Sequence, residues 1–103
     1  MSQAEIKTKT RTKTNLDVKE PPMFRIIYIN DDQTPMDFVV RTLIDHFDYT
    51  IDSAQDITTA IHETGSAVVA VLPYELAEQK GVEITVAARS EGYPLQIKLE
   101  PQT

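Results

Sequence analysis

The feature that most constrains the fold is an alternation between short apolar runs and longer stretches with helical spacing. The short runs are rich in β-branched and aromatic residues or alternate apolar with polar positions, which is typical of strands; they cover 24–30, 67–72 and 95–100. In the longer stretches apolar residues recur every three or four positions, which predicts helices; they cover about 35–47, 51–64 and 74–91. The predicted order is therefore β-α-α-β-α-β.

This order predicts an α/β fold, a small two-layer sandwich in which a three-stranded antiparallel sheet packs against three helices. The 103 residues are enough for one domain with a modest core. Residues 6–14 alternate Lys or Arg with Thr and offer little apolar surface to bury. We therefore expect a flexible N-terminal extension over 1–22 and a folded core over 23–103.

The charge distribution argues against nucleic acid as a partner. The net charge is −6, and residues 1–22 hold five basic and three acidic residues, so the other 81 residues carry −8. An acidic body repels phosphate backbones and suits basic or cationic partners. The chain has no cysteine and no apolar stretch of the roughly 18 residues that span a bilayer. We therefore expect a cytoplasmic protein that does not associate with a membrane.

Two adjacent carboxylates, Asp31 and Asp32, follow the first predicted strand and invite a catalytic or metal-binding interpretation. An aspartyl-phosphate motif would need an acid where Asn30 stands, and an amide is not a nucleophile. A calcium loop would need alternating oxygen ligands and a glycine, but Thr34 and Pro35 instead start a helix, with Thr34 expected as its N-cap. We expect no enzyme activity, no metal and no cofactor.

The same residues are suited to binding a cation. An ammonium group offers three hydrogen-bond donors, which an amide oxygen, a carboxylate and a neutral imidazole can accept. Asn30, Asp32 and His62 supply these groups, although a histidine such as His62 by itself more often interacts with the C-terminal end of its helix than with a ligand.

Three ordered motifs resemble the ClpS family, adaptors that bring N-degron substrates to the Clp AAA+ protease. The first is Asn30-Asp31-Asp32-Gln33-Thr34-Pro35-Met36-Asp37-Phe38-Val39, the second is His62 to Gly65, and the third is Ala77-Glu78-Gln79-Lys80. The resemblance covers about 22–100, and the family fold has the element order predicted above. It implies a non-enzymatic adaptor for proteins that begin with Leu, Phe, Tyr or Trp.

The resemblance also implies residue roles. Asn30, Asp32 and His62 would bind the substrate's free α-amino group, with Asp31 shaping the same rim, and Met36 would act as a gate that rejects β-branched first residues. The walls of the side-chain pocket would consist of Thr34, Met36, Val39, Thr58, Ile61 and Leu95. Glu75 and Lys80 would contact the N-terminal domain of a Clp unfoldase of the ClpA or ClpC type. The extension over 1–22 would take part in handing over the substrate.

One departure from the family pattern concerns Thr58, which stands where a larger apolar residue such as Met is usual. It puts the preferred first residue of the substrate in doubt. A competing interpretation is an interaction domain resembling the C-terminal domain of the ribosomal stalk protein, which shares this element order and would ignore free amines. In either case we expect a monomer.

Overall fold

The computed structural model describes residues 21–103, which form three strands and three helices in the predicted order. The elements are β1 (Met23–Ile29), α1 (Met36–Phe47), α2 (Ile51–Thr64), β2 (Ser66–Pro73), α3 (Tyr74–Ser90) and β3 (Gln96–Pro101). Their bounds differ from the predicted ones by no more than one residue at either end. The predicted N-terminal extension lies outside the described residues except for Pro21 and Pro22.

The strands form one antiparallel sheet with β1 in the centre, in the order β2-β1-β3. Alternation along β1 directs Ile26 and Tyr28 toward the helices, where both are completely buried. The register shifts between Ile26 and Ile27, so that Val69 on β2 forms a bulge and is itself buried. The predicted fold class, a two-layer sandwich, is confirmed.

The core lies between this sheet face and the helices. Each helix contributes a buried stripe; together they supply Phe38, Val39, Leu43, Ala54, Ile61, Ala77, Ile84 and Ala88. A polar pair is buried among them, because the Tyr28 hydroxyl lies 2.8 Å from Thr42 Oγ1. Burial raises the pKa of Tyr28, and the hydrogen bond to Thr42 offsets only part of this, so Tyr28 stays neutral.

The helix ends are fixed by local chemistry. Thr50 caps α2 by accepting a hydrogen bond from the Ser53 backbone N–H at 3.2 Å. At its other end Gly65 adopts a left-handed conformation (φ 98°), and its N–H donates to the Ile61 carbonyl. This turn leads directly into β2 and sets the position of the last turn of α2 against the end of β1.

Candidate ligand-binding site

The turn between β1 and α1 is folded around Asp31. Its Oδ1 accepts hydrogen bonds from the backbone N–H groups of Gln33 (2.8 Å) and Thr34 (2.7 Å), and its Oδ2 accepts one from the Thr34 hydroxyl (2.8 Å). Burial alone would raise the pKa of Asp31, but these three hydrogen bonds outweigh it and lower the pKa below its usual value. Both carboxylate oxygens thus hold the turn together.

This arrangement corrects the expected helix cap. Thr34 was predicted to cap α1, but its hydroxyl donates to Asp31, and α1 begins at Met36 after Pro35 without a side-chain cap. The physical reason is that Asp31 engages Thr34 in an Asx turn before the helix begins. Because the Thr34 hydroxyl donates to the Asp31 carboxylate, it is held within the turn and does not accept from the first N–H groups of α1.

The end of β1 meets the end of α2 at one corner of the molecule. The Asn30 backbone N–H donates to the Gly65 carbonyl at 2.9 Å, which brings Asn30 beside the helical turn that carries His62. Asp32 is exposed on the adjoining turn, and His62 is exposed as well. We call Asn30, Asp32 and His62 the polar corner. Within residues 21–103 their side chains take part in no hydrogen bond, so their acceptors are available to a ligand.

A groove of about 380 Å³ lies between α1 and α2. Met36 is at its mouth with 45% of its surface exposed, and Thr58 forms part of its wall. The Thr58 hydroxyl donates to the Ala54 carbonyl at 2.7 Å within its own helix. Its hydrogen is therefore not available to a guest, and the wall is less polar than the residue type suggests.

The predicted pocket residues divide into two groups. Met36 and Thr58 line the groove, whereas the structure buries Val39, Ile61 and Leu95 in the core and leaves Thr34 half-buried in the turn. The groove also has walls that sequence reasoning did not select: Asp37, Val40, Gln55 and Thr59. Helical spacing could have indicated Val40, because it follows Met36 by one turn on the same helix face.

Glu75 and Lys80 lie near the start of α3 but line different depressions. Glu75 is exposed beside Pro21, Pro73 and Tyr74, at a cavity of about 370 Å³. Lys80 is half-buried at a cavity of about 260 Å³ between α1, β2 and α3. Because the two residues are five positions apart on the helix, their side chains point in different directions, although both lie near the N-terminal end of α3.

Residues 21–103 contain no group of three or more His, Cys, Asp or Glu side chains that could hold a metal ion. In the same part of the chain, none of the helices is both long enough and apolar enough to span a membrane.

The family model described as ATP-dependent Clp protease adaptor protein ClpS matches residues 19–98. This chain belongs to the ClpS family. It is 38% identical over 102 residues to ClpS 1 of Rhodopseudomonas palustris and 42% identical over 102 residues to ClpS 1 of Bradyrhizobium diazoefficiens. Each alignment covers 99% of both chains. The protein is therefore an adaptor of the Clp protease and not an enzyme.

A solved structure extends the comparison. ClpS2 of Agrobacterium tumefaciens bound to L-phenylalaninamide superposes with a TM-score of 0.77 at 34% sequence identity. The match covers 81% of this chain and 100% of that chain. The family assignment decides between the two interpretations considered from the sequence and confirms the ClpS resemblance.

Proposed function

We propose that this adaptor binds proteins whose first residue is Leu, Phe, Tyr or Trp and recognises their free α-amino group at the polar corner. An α-amino group has an ordinary pKa of about 7.7–8 and is mostly charged at neutral pH. A charged amine leaving water needs its donors paired. Asn30, Asp32 and His62 carry an amide oxygen, a carboxylate and an imidazole, and the hydrogen bond from the Asn30 N–H to the Gly65 carbonyl joins the turn to the end of α2, which supports this assignment.

The observation that carries the proposal is the similarity to the Agrobacterium protein bound to L-phenylalaninamide. That ligand combines a free α-amino group and a benzyl side chain with an amide where a peptide chain would continue. It thus has the chemistry of an N-terminal phenylalanine.

In the proposal, the first side chain enters the groove between α1 and α2. Met36 at its mouth excludes residues that branch at Cβ, since their bulk lies close to the backbone and cannot pass a side chain at the entrance. Thr58 makes this groove roomier than Met would at the same position. Replacing Met36 with Ala is expected to let peptides beginning with Ile or Val bind, and unchanged discrimination would remove Met36 as the gate.

Delivery completes the proposed function. Glu75 and Lys80 at the start of α3 would contact the N-terminal domain of a ClpA- or ClpC-type unfoldase, and the adaptor would act as a monomer in the cytoplasm. The absence of cysteines agrees with a reducing compartment. Charge reversal at Glu75 together with Lys80 should impair binding to such a domain while leaving peptide binding intact.

One titration tests the amine site. A fluorescent peptide that begins with Phe should bind, and the same peptide acetylated at its amine should not, because acetylation removes the charge and two donors. His62→Ala should weaken binding of the free peptide. Glu63→Ala, at the neighbouring exposed position in the same turn, is the matched control and should bind normally.

Equal affinity for the free and acetylated peptides would contradict the ammonium site. Equal losses in the His62 and Glu63 variants would show instead that the last turn of α2 acts only through its structure.

A further inference from the structure

A second groove, of about 300 Å³, lies between α3 and β3 and is predominantly apolar. Val82 and Val86 form its outer ridge, one helical turn apart, with 57% and 62% of their surfaces exposed. Ile97 and Leu99 form its opposite wall. The two exposed valines and the apolar wall beside them form one contiguous apolar surface. Such a surface is typical of an interaction site, whereas single exposed apolar residues are common on any protein.

The strand that borders this groove has an unused edge. In the order β2-β1-β3, β3 pairs on one side with β1, and no strand of residues 21–103 pairs with its other side. The backbone N–H and C=O groups along that edge can accept a further strand. The groove therefore offers hydrogen-bonding partners along the strand and apolar contacts along the helix.

We propose that residues 6–14 of this same chain dock there as an additional strand beside β3. Their sequence, IKTKTRTKT, alternates cationic residues with threonines. In an extended conformation this period places the threonines on one face and the cations on the other. Threonine is β-branched and favours strands, and its methyl groups can pack against Val82 and Val86. The segment has little apolar surface to bury by itself. The open edge of β3 supplies hydrogen-bonding partners for its backbone, and the groove supplies apolar contacts for its methyl groups.

The chain leaves the described domain beside the ends of the two elements that border this groove. The Pro22 carbonyl accepts a hydrogen bond from the Tyr74 N–H (3.1 Å), and the Met23 carbonyl accepts one from the Gln102 N–H (2.9 Å). The exit point is therefore where β3 ends and α3 begins. Leu99 lies opposite Ile26, three residues beyond Met23 and thus about 10 Å along the sheet.

The connecting residues 15–22 can span this distance. Eight residues reach at most about 26–29 Å when extended, which leaves room to turn back beside β3. Because β1 and β3 are antiparallel, a segment that precedes β1 and turns back would run parallel to β3.

Charge favours the same contact. The segment contains Lys7, Lys9, Arg11 and Lys13 and no acid, whereas residues 23–103 carry a net charge of −8. Glu78 lines the groove itself. This attraction acts over about 8–10 Å at 0.1–0.15 M salt and is largely screened at 1 M.

The absence of cysteine permits a direct test with the full chain. Thr10→Cys provides the only attachment site for a nitroxide spin label, whose effect is read on the backbone amide signals of the isotope-labelled protein by NMR. The amides of Val82, Val86 and Ile97 are expected to lose most of their intensity at low salt and to recover most of it at about 1 M salt. Val82→Lys should abolish the loss, because it removes an apolar contact and places a positive charge against the cationic segment.

The matched control is Val68→Lys on β2, the opposite edge strand, where the valine is 48% exposed. It introduces the same charge at a similarly exposed position and should leave the signal loss unchanged. Preserved dispersion of the amide signals in each variant verifies that the domain remains folded.

Three outcomes would overturn the proposal: signal loss along β2 instead of β3, no loss at either edge, or loss that persists in Val82→Lys. So would loss of the same signals when spin-labelled chain is mixed with separate isotope-labelled chain, since that contact would join two copies. The test does not involve the polar corner, so its result and that of the amine titration are independent.

Discussion

Strand β1 and the turn that follows it adjoin in the sequence but relate to the molecule in opposite ways. Ile26 and Tyr28 are completely buried, and the one hydroxyl among them is paired with Thr42. A few residues later, Asn30 and Asp32 present polar side chains without partners among the described residues. The core-facing side chains of the strand are buried and paired within the domain, whereas the turn leaves hydrogen-bonding capacity unused among residues 21–103, which the proposed function assigns to the substrate amine.

Asp31 is the exception within the turn. It belongs to the structural group, because its carboxylate already binds three donors of its own backbone and side-chain neighbours. Two adjacent and chemically identical residues therefore have different tasks: Asp31 shapes the turn, and Asp32 is available for the proposed ligand.

The largest expected effect lies on the strand side of this comparison. Leu43→Ala removes a fully buried side chain of α1 and should lower the free energy of unfolding by about 2–5 kcal/mol. Urea denaturation measures this change. Ile51→Ala, at an exposed position, is the control and should change the stability by less than about 0.5 kcal/mol. Similar losses in both variants would contradict the described core.

The adjacent aspartates give the next largest effect and test the division of tasks. Asp31→Ala should lower the free energy of unfolding by about 1–2 kcal/mol, as loss of a comparable capping side chain does. Asp32→Ala should leave stability within about 0.5 kcal/mol and instead weaken peptide binding. Denaturation and peptide titration of both variants check this, and an exchange of the two phenotypes would reverse the assignment.

The same residue predicts a pH dependence. Because the pKa of Asp31 is lower in the folded protein than in the unfolded chain, its contribution to stability is fully present above the unfolded pKa of about 3.9. The contribution is lost as the pH falls below that value and through the folded pKa. The midpoint temperature of thermal unfolding should therefore decrease less steeply with falling pH for Asp31→Asn than for the unmodified chain.

Tyr28→Phe should have a smaller effect. It removes the buried hydroxyl, but Thr42 Oγ1 still donates to the Val39 carbonyl at 2.8 Å, so no donor is left stranded. The expected loss is about 0.5–1.5 kcal/mol by chemical denaturation. Thr42→Val would leave the Tyr28 hydroxyl unpaired and should cost more; the reverse order would contradict this account.

The smallest effect has the opposite sign. Gly81 lies inside α3, and a Cβ there would meet Ile97 and Leu99 at ordinary contact distances of 3.9 and 4.0 Å. Gly81→Ala should therefore raise the free energy of unfolding by about 0.5–1 kcal/mol. Gly65→Ala is the contrast: with φ at 98° it should destabilise the protein.

The sequence predicted the elements well because their signals are local. Apolar spacing located each helix and strand, and Gly65 marked the end of α2 correctly. The role of Thr34 was missed because its hydroxyl donates to Asp31 instead of accepting from the helix, and apolar periodicity does not show which partner a turn side chain takes. The groove walls at Gln55 and Thr59 were missed because exposed polar residues on a helix carry no signal of what faces them.

By itself the sequence determined the order of the elements, the buried stripe of each helix and the acidic balance of the folded part. Only the tertiary structure decided that Asn30 meets the end of α2, 35 residues away at Gly65, and that α1 and α2 leave a groove beside Met36. The physical reason is the sequence distance over which each effect acts. Backbone preference and periodicity act over a few residues, whereas the polar corner exists because sheet pairing and helix packing bring distant segments together.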